Sequence, residues 1–412
     1  MGDPRPRPVG DAVWSDDTLG WVGEILGWAE VRSGHGGRPS SGTLRYWALP
    51  SRTLMRTLVP SASSGHRALR SFNDSMSQVA RLKKAAYGLF LGVGAGRLPG
   101  RLVGAESVGF MPQSAGASDG IVDRISGAVG RPVMVGVACG RELRPNRKPV
   151  LQVLDGRGEM VAFAKVGWNA LTRSLVDAEA QALRSLAHIE TRSFRVPSVI
   201  YHGDWEGRSL LVVSAGPAPL IRRCRRNAFA PLSVELEIAG SGWRAREELG
   251  ASRYLAELRS RMTTPGLDPD TIGRAMTQID LMTEEAGSTS MNFGAWHGDF
   301  APWNMTRAHG DLFVMDWERY AGPVPIGFDH LHPRFQLLRG AGRSVGSAAS
   351  EAMASLRSVA SRSGIAPGLA PLIMRLYLME PLIRDQMGRA AGMATAGSVS
   401  SGILGFLEGG NG

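Results

Sequence analysis

His297-Gly298-Asp299-Phe300-Ala301-Pro302-Trp303-Asn304, with Met315-Asp316-Trp317-Glu318 a few residues on, is the stretch that decides how this chain reads. It sets out three oxygen-bearing side chains in order: Asp299, Asn304 and Asp316. One carboxylate can orient or deprotonate a hydroxyl, while an amide oxygen and a second carboxylate offer a hard divalent cation the ligands it prefers. Leu312, Phe313, Val314 and Met315 are apolar, so a buried strand is expected to deliver the Asp316 carboxylate at a fixed point. Residues 304–306 and 312–316 are then the arms of a short hairpin turning at His309-Gly310-Asp311. Phosphoryl transfer asks a protein mainly for positioning and for neutralisation of spread negative charge, and these groups suit it.

A second copy of the opening tripeptide shows how little three letters decide. His202-Gly203-Asp204 repeats them, but Ser209 stands where an asparagine is needed. Gly and Asp between two short strands are ordinary turn residues, so this copy is expected to be structural.

Upstream, residues 132–138, 149–155 and 160–166 read as strands, with Asp155-Gly156-Arg157-Gly158 as a hairpin turn. Residues 172–186 place Leu175, Ala178, Ala182, Leu183 and Leu186 on one side of a helix, and strands at 198–202 and 209–214 follow. Lys165 ends the third strand and Glu179 lies on the helix. Downstream the pattern is helical: 270–285 with Asp270 as its cap, then 344–361 and 369–390, with 401–412 as a tail. The front of the chain reads as a tail (1–17), a short helix carrying Leu19, Val22, Ile25, Leu26 and Ala29, and a hairpin over 44–59 reversing at Leu49-Pro50-Ser51-Arg52. A helix over 69–90 and a Gly/Ser-rich connection over 94–120 complete it.

The His297-Gly298-Asp299 stretch, with Pro302 and Asn304, resembles the aminoglycoside phosphotransferase and choline-kinase-like branch of the protein-kinase-like superfamily, over roughly residues 121–390. The resemblance implies an α+β, bilobal protein-kinase-like fold preceded by a small extra α/β region. Its parts would be an extension (1–120), a nucleotide-binding lobe (121–215) and a catalytic, acceptor-binding lobe (216–412). It implies ATP and Mg2+ as cofactors, with Asp299 as the catalytic carboxylate, His297 holding the loop, and Asn304 and Asp316 on the metal. Lys165, held by Glu179, would contact the nucleotide's phosphates, and Asp329 would brace the catalytic loop. No glycine-rich phosphate loop is recognisable, which leaves backbone amides with Arg147 or Lys148 to cover the phosphates. Gly298, Ala301 and Trp317-Glu318 depart from the protein-kinase pattern and point to a small molecule or glycan as acceptor.

Composition bounds the rest. The 412 residues carry 43% hydrophobic and 20% charged side chains and a formal charge of +10, as expected of a globular protein large enough for more than one domain. No run is apolar and long enough for a transmembrane segment, and residues 1–17 lack a signal-peptide core, so the cytoplasm is the expected compartment. Cys139 and Cys224 read as small buried residues rather than as a disulfide or metal pair. The basic run Arg222-Arg223-Cys224-Arg225-Arg226 has no interleaved aromatics, so nucleic acid is not expected as a partner. Glu235, Glu237, Glu247 and Glu248 could line an acidic acceptor pocket of the kind an aminoglycoside-like antibiotic needs. Arg222, Arg223, Arg225, Arg226, Arg244 and Arg246 lean the balance toward a neutral or anionic acceptor, such as a sugar, a sugar phosphate or a cell-envelope precursor. The competing reading is a non-catalytic nucleotide-binding scaffold.

Overall fold

The computed structural model describes residues 18–31, 43–49, 57–62, 64, 106–112, 120–139, 146–216, 222–223, 229–308, 311–392 and 399–409. The chain divides into two units, residues 1–180 with 198–218 and residues 181–197 with 219–412. It is a mixed α+β protein, β-rich in the first unit and helical in the second.

The first unit is organised on one sheet. Its strands are β1 (Trp28–Val31), β2 (Leu44–Leu49), β3 (Thr57–Pro60), β4 (Glu106–Pro112), β5 (Met134–Ala138), β6 (Val150–Leu154), β7 (Met160–Gly167), β8 (Val199–Trp205) and β9 (Arg208–Ser214). They lie in the order β1-β4-β2-β3-β5-β6-β7-β9-β8, antiparallel throughout. Helices α1 (Thr18–Leu26), α2 (Ile121–Val129) and α3 (Ala170–Leu186) complete it, α3 running on into residues of the second unit. Alternating apolar residues such as Val135, Val137, Leu151 and Val153 bury one face of the sheet against Leu19, Val22 and Ile25 of α1 and Ile121 and Ile125 of α2. The turn between β6 and β7 is closed by Asp155, whose Oδ1 accepts the amides of Arg157 and Glu159 at 2.9 Å.

Several expectations for the front region are settled here. β2 and β3 form the hairpin read over 44–59, with Trp47 opposite Val59. Its reversal, the helix over 69–90 and the tail over 1–17 lie outside the described residues. Within 94–120, read as a connection, β4 is a strand; Val108 and Phe110 alternate into the core, and Phe110 packs with Trp28 and Tyr46.

The second unit holds α4 (Leu232–Gly240), α5 (Arg253–Met262), α6 (Pro269–Ala286), α7 (Phe328–Gly340), α8 (Val345–Val359), α9 (Ala370–Ala390) and α10 (Val399–Leu407). Two three-stranded sheets accompany them. One orders β10 (Arg222–Arg223), β13 (Met305–Ala308) and β14 (Asp311–Val314); the other orders β11 (Ala245–Glu248), β12 (Ser290–Trp296) and β15 (Ala321–Pro325). Tyr254, Phe293, Phe328 and Tyr377 interlock in the core, largely edge to face. Asp268, not Asp270, caps α6: its carboxylate accepts the Thr271 amide at 2.9 Å, and Pro269 supplies the first helical residue. The expected tail at 401–412 is largely α10, which buries Ile403, Leu404 and Leu407 along one helical face. Among the described residues, no helix is long and apolar enough to cross a membrane.

Candidate active site

β13 and β14 form the hairpin read from the sequence, with Met305 opposite Val314. This register sets Asn304 beside Met315, whose amide donates to the Asn304 carbonyl at 2.9 Å, one residue from Asp316. Buried Leu312, Phe313 and Val314 fix the strand, and Phe194-Arg195 extends alongside it through amide bonds to Leu312 and Val314. The strand ends abruptly. Asp316 takes a left-handed backbone (φ 68°), which aspartate tolerates better than most residues. Fully buried Trp317 holds the turn, donating Nε1 to the Val314 carbonyl at 2.9 Å and stacking on Phe194.

His297 ties this hairpin to the loop before it. Its Nε2 lies 3.0 Å from the Met315 carbonyl, and its Nδ1 accepts the Asp299 amide at 3.2 Å. Both bonds need the neutral ring, and burial pushes its pKa down to about 4 against the pull of Asp299 and Asp316. His297 therefore holds the loop and is not a proton carrier at neutral pH. Asp329, at the start of α7, accepts the amides of His297 (2.8 Å) and Gly298 (3.4 Å). Burial raises its carboxyl to about 7, with Glu235 adding to the rise and the two amides opposing it. Gly298 has φ 81°, and a Cβ there would lie 2.3 Å from the Arg319 carbonyl oxygen, so only glycine fits.

Asp299 sits at the end of this framework with its side chain 35% exposed. Asn304 Nδ2 donates to Asp299 Oδ2 and to its backbone carbonyl, both at 2.9 Å. Because the nitrogen makes both bonds, Oδ1 is the atom of Asn304 that can serve a cation. Asp299 Oδ1 faces Nε2 of His332 at 3.1 Å, and the Tyr377 hydroxyl lies 3.1 Å from the other ring nitrogen. Burial holds His332 below the usual histidine range, which suits a neutral ring donating to Asp299 and accepting from Tyr377. The sequence reading missed His332. Its one signal was a position three residues after Asp329, on the same helical face.

The donor set suits a hard cation. The carboxylates of Asp316 and Glu318 lie within 4.8 Å of each other, and Asn304 Oδ1 is a further oxygen donor in the same loop and hairpin. All are oxygens, the preference of magnesium or calcium rather than zinc.

In the first unit, Lys165 on β7 and Glu179 on α3 meet as read: Lys165 Nζ is 2.7 and 2.5 Å from the two carboxylate oxygens. The pair is well buried, Glu179 almost completely. Arg147 lays its guanidinium over the Trp21 ring, 4.6 Å from the centroid, and its carbonyl accepts Trp168 Nε1 at 2.8 Å. Lys148 is half-buried just before β6, and residues 140–145 lie outside those described. The second tripeptide copy lies within strand β8 rather than in the turn expected for it: the reversal is Glu206-Gly207, and Asp204 Oδ1 accepts the Gly207 amide at 3.0 Å. Cys139 is buried, which pushes its thiol up to about 12; Cys224 lies outside the described residues.

Of the acids considered for an acceptor pocket, three are tied to the chain itself. Glu235 is buried against His330 (2.8 Å) and Arg334 (3.7 Å), Glu237 accepts the amides of Arg192 and Ser193, and Glu247 accepts that of Arg253.

No family model and no curated protein matches this chain. Solved structures do align with it. Choline kinase LicA from Streptococcus pneumoniae matches at 12% identity over 70% of this chain and 96% of its own, with a TM-score of 0.44. A thermostable mutant of aminoglycoside phosphotransferase APH(4)-Ia matches at 13% over 71% and 100%, with a TM-score of 0.40. Amicoumacin kinase hAmiN matches at 13% over 66% and 86%, with a TM-score of 0.38. They are small-molecule kinases, the group that residues 297–304 resemble. At TM-scores below 0.5 the likeness decides nothing about the site, which stands on its own residues.

Proposed function

We propose that this protein is a kinase that moves the γ-phosphoryl group of ATP to a hydroxyl of a small molecule or glycan. The observation that carries the reading is Asp299, one-third open to solvent, held by Asn304 on one oxygen and His332 on the other. Each oxygen keeps a second lone pair, so Asp299 can accept the proton of an incoming hydroxyl without giving up either support. Asn304, Asp316 and Glu318 would hold magnesium, which supplies neutralisation of the phosphates' charge. His297, Asp329 and Trp317 keep the loop and the hairpin end in one geometry, so the carboxylates need not reorganise during reaction. Lys165, oriented by Glu179, would bind nucleotide phosphates; Arg147 and Lys148 remain candidates for the same role.

The test is an acceptor screen on full-length protein that follows ADP release with and without magnesium. The reading expects magnesium-dependent release that rises with the right acceptor and is lost in Asp299→Asn. ATP binding with no release across sugars, aminoglycosides, choline and their phosphates would instead support a non-catalytic binding protein.

A further inference from the structure

Lys165 lies near the end of β7 and Glu179 on α3, so the corner joining these two elements decides whether the pair meets. That corner is locked from within. A Cβ at Gly167 would lie 2.6 Å from Cα and 2.8 Å from the amide nitrogen of Arg173, so the end of β7 presses directly on the first turn of α3. Thr172 Oγ1 accepts the amides of Trp168 and Asn169 at 2.9 and 3.0 Å. Asn169 Oδ1 in turn accepts the Thr172 amide at 2.8 Å, which caps the helix.

The outer side of the corner is held by a residue far away in the chain. Trp21 of α1 meets Trp168 edge to face, with ring centroids 6.2 Å apart, while the Arg147 guanidinium covers the Trp21 ring. Trp168 Nε1 donates to the Arg147 carbonyl, closing a triangle of Trp21, Arg147 and Trp168. One side chain of the opening segment therefore touches both places proposed to face nucleotide phosphates: the β7–α3 corner, and the approach to β6 that carries Arg147 and Lys148. Trp21 Nε1 makes no hydrogen bond among the described residues, so ring packing and the pull of its π face on the guanidinium hold it there. The rest of α1 has its own anchors. Leu19, Val22, Ile25 and Leu26 are buried, and Arg208 Nη2 donates to the Glu24 carbonyl at 2.9 Å.

We propose that Trp21 is a positioning residue for nucleotide binding: by bracing Trp168 and Arg147 it sets the corner that brings Lys165 to Glu179. Lys165 enters here as a phosphate ligand, so the proposal rests on the kinase reading. It gives α1, which carries none of the motif residues, a part in the same site. A brace that favours nucleotide binding must itself be favoured by bound nucleotide, because coupling between two equilibria is reciprocal.

Calorimetric titration of full-length protein with ADP and magnesium tests the brace without an acceptor, at a temperature where circular dichroism shows each variant folded. Trp21→Ala is expected to weaken ADP about fivefold or more, while Trp21→Phe, which keeps a ring against both partners, binds nearly as the unaltered protein does. Amide hydrogen exchange gives the reciprocal readout. ADP with magnesium is expected to slow exchange over residues 18–26 of the unaltered protein, and to lose that effect in Trp21→Ala. A contact serving only the fold would lower the thermal midpoint of Trp21→Ala and leave ADP affinity where it was. Equal ADP affinity of Trp21→Ala and the unaltered protein therefore overturns the proposal and leaves the kinase reading standing. Exchange over residues 18–26 that ADP does not change has the same meaning, and it decides the matter on the unaltered protein if Trp21→Ala does not fold. No ADP binding by the unaltered protein removes the kinase reading and the proposal together.

Discussion

The imidazole Nε2 of His332 lies 3.1 Å from Oδ1 of Asp299, so the proposed catalytic carboxylate is oriented by a neutral, buried ring. Asp299→Asn is expected to lower kcat by roughly 10²–10⁴ while nucleotide binding, measured by calorimetry, stays near that of the unaltered protein. His332→Ala removes only the support. Its expected effect is a fall in kcat of roughly 10–100-fold with KM for ATP almost unchanged, because a displaced carboxylate costs turnover before binding. Steady-state kinetics with normal kcat in His332→Ala would dismiss the contact as packing.

Buried Asp329 makes stability depend on pH in a direction unusual for an acid. Its folded carboxyl titrates at about 7 against the ordinary 3.8, so it contributes stability that is complete below about 3.8 and is lost as pH rises to about 7. His297, pushed down to about 4 from 6.5, acts oppositely, and its destabilising effect fades as pH rises through that window. Asp329→Asn removes the first contribution alone. The variant's stability deficit is expected to narrow between about pH 4 and 7, by at most roughly 1.4 kcal/mol per pH unit. Thermal midpoints of both proteins across that range give the answer; a constant deficit contradicts it.

Two glycines should respond in opposite ways. Gly298→Ala combines a left-handed backbone with a Cβ 2.3 Å from the Arg319 carbonyl oxygen, and is expected to cost roughly 2–4 kcal/mol and to displace Asp299. Gly127, inside α2, has nothing within 4 Å of an added Cβ. Gly127→Ala should gain roughly 0.5–1 kcal/mol from helix propensity. Denaturant unfolding of both variants checks the contrast.

The Lys165–Glu179 pair separates stability from ligand binding. Lys165→Met leaves a nearly inaccessible carboxylate without its cation and is expected to destabilise the protein by roughly 3–5 kcal/mol. Adding Glu179→Leu should restore much of that stability, since apolar replacements of buried ion pairs are often neutral. ATP affinity should remain low in the double variant. If it returns along with the stability, Lys165 serves the fold and not the nucleotide.

The motif was legible because its residues lie close in sequence: the apolar run before Asp316 and the spacing to Asn304 already imply the hairpin. Strands β5 to β7 and helix α3 were legible for a similar reason, an alternating or helical apolar period bounded by turn residues such as Asp155. What escaped depends on contacts distant in the chain. His332 and Arg384 reach the 297–299 loop from α7 and α9, and nothing local marks them apart from other helical polar residues. β4 and α10 escaped because glycines and serines in 94–120 and 399–407 masked short apolar periods, Val108 with Phe110 and Ile403 with Leu407. The α6 cap was misplaced by two residues because Asp268 and Asp270 flank Pro269, and only the amide bond to Thr271 chooses between them.

β3 meets β5 through Thr57 opposite Ala138 and Leu58 opposite Val137, so segments from the opening hundred residues finish a sheet that begins again after Ile121. Cutting the chain before Ile121 would bare a rim of peptide N–H and C=O groups on β5, along with the apolar face that α1 covers. A shortened protein of that kind would be prone to stick to its own copies. Its silence in an assay would then report clumping rather than any catalytic need for the missing piece.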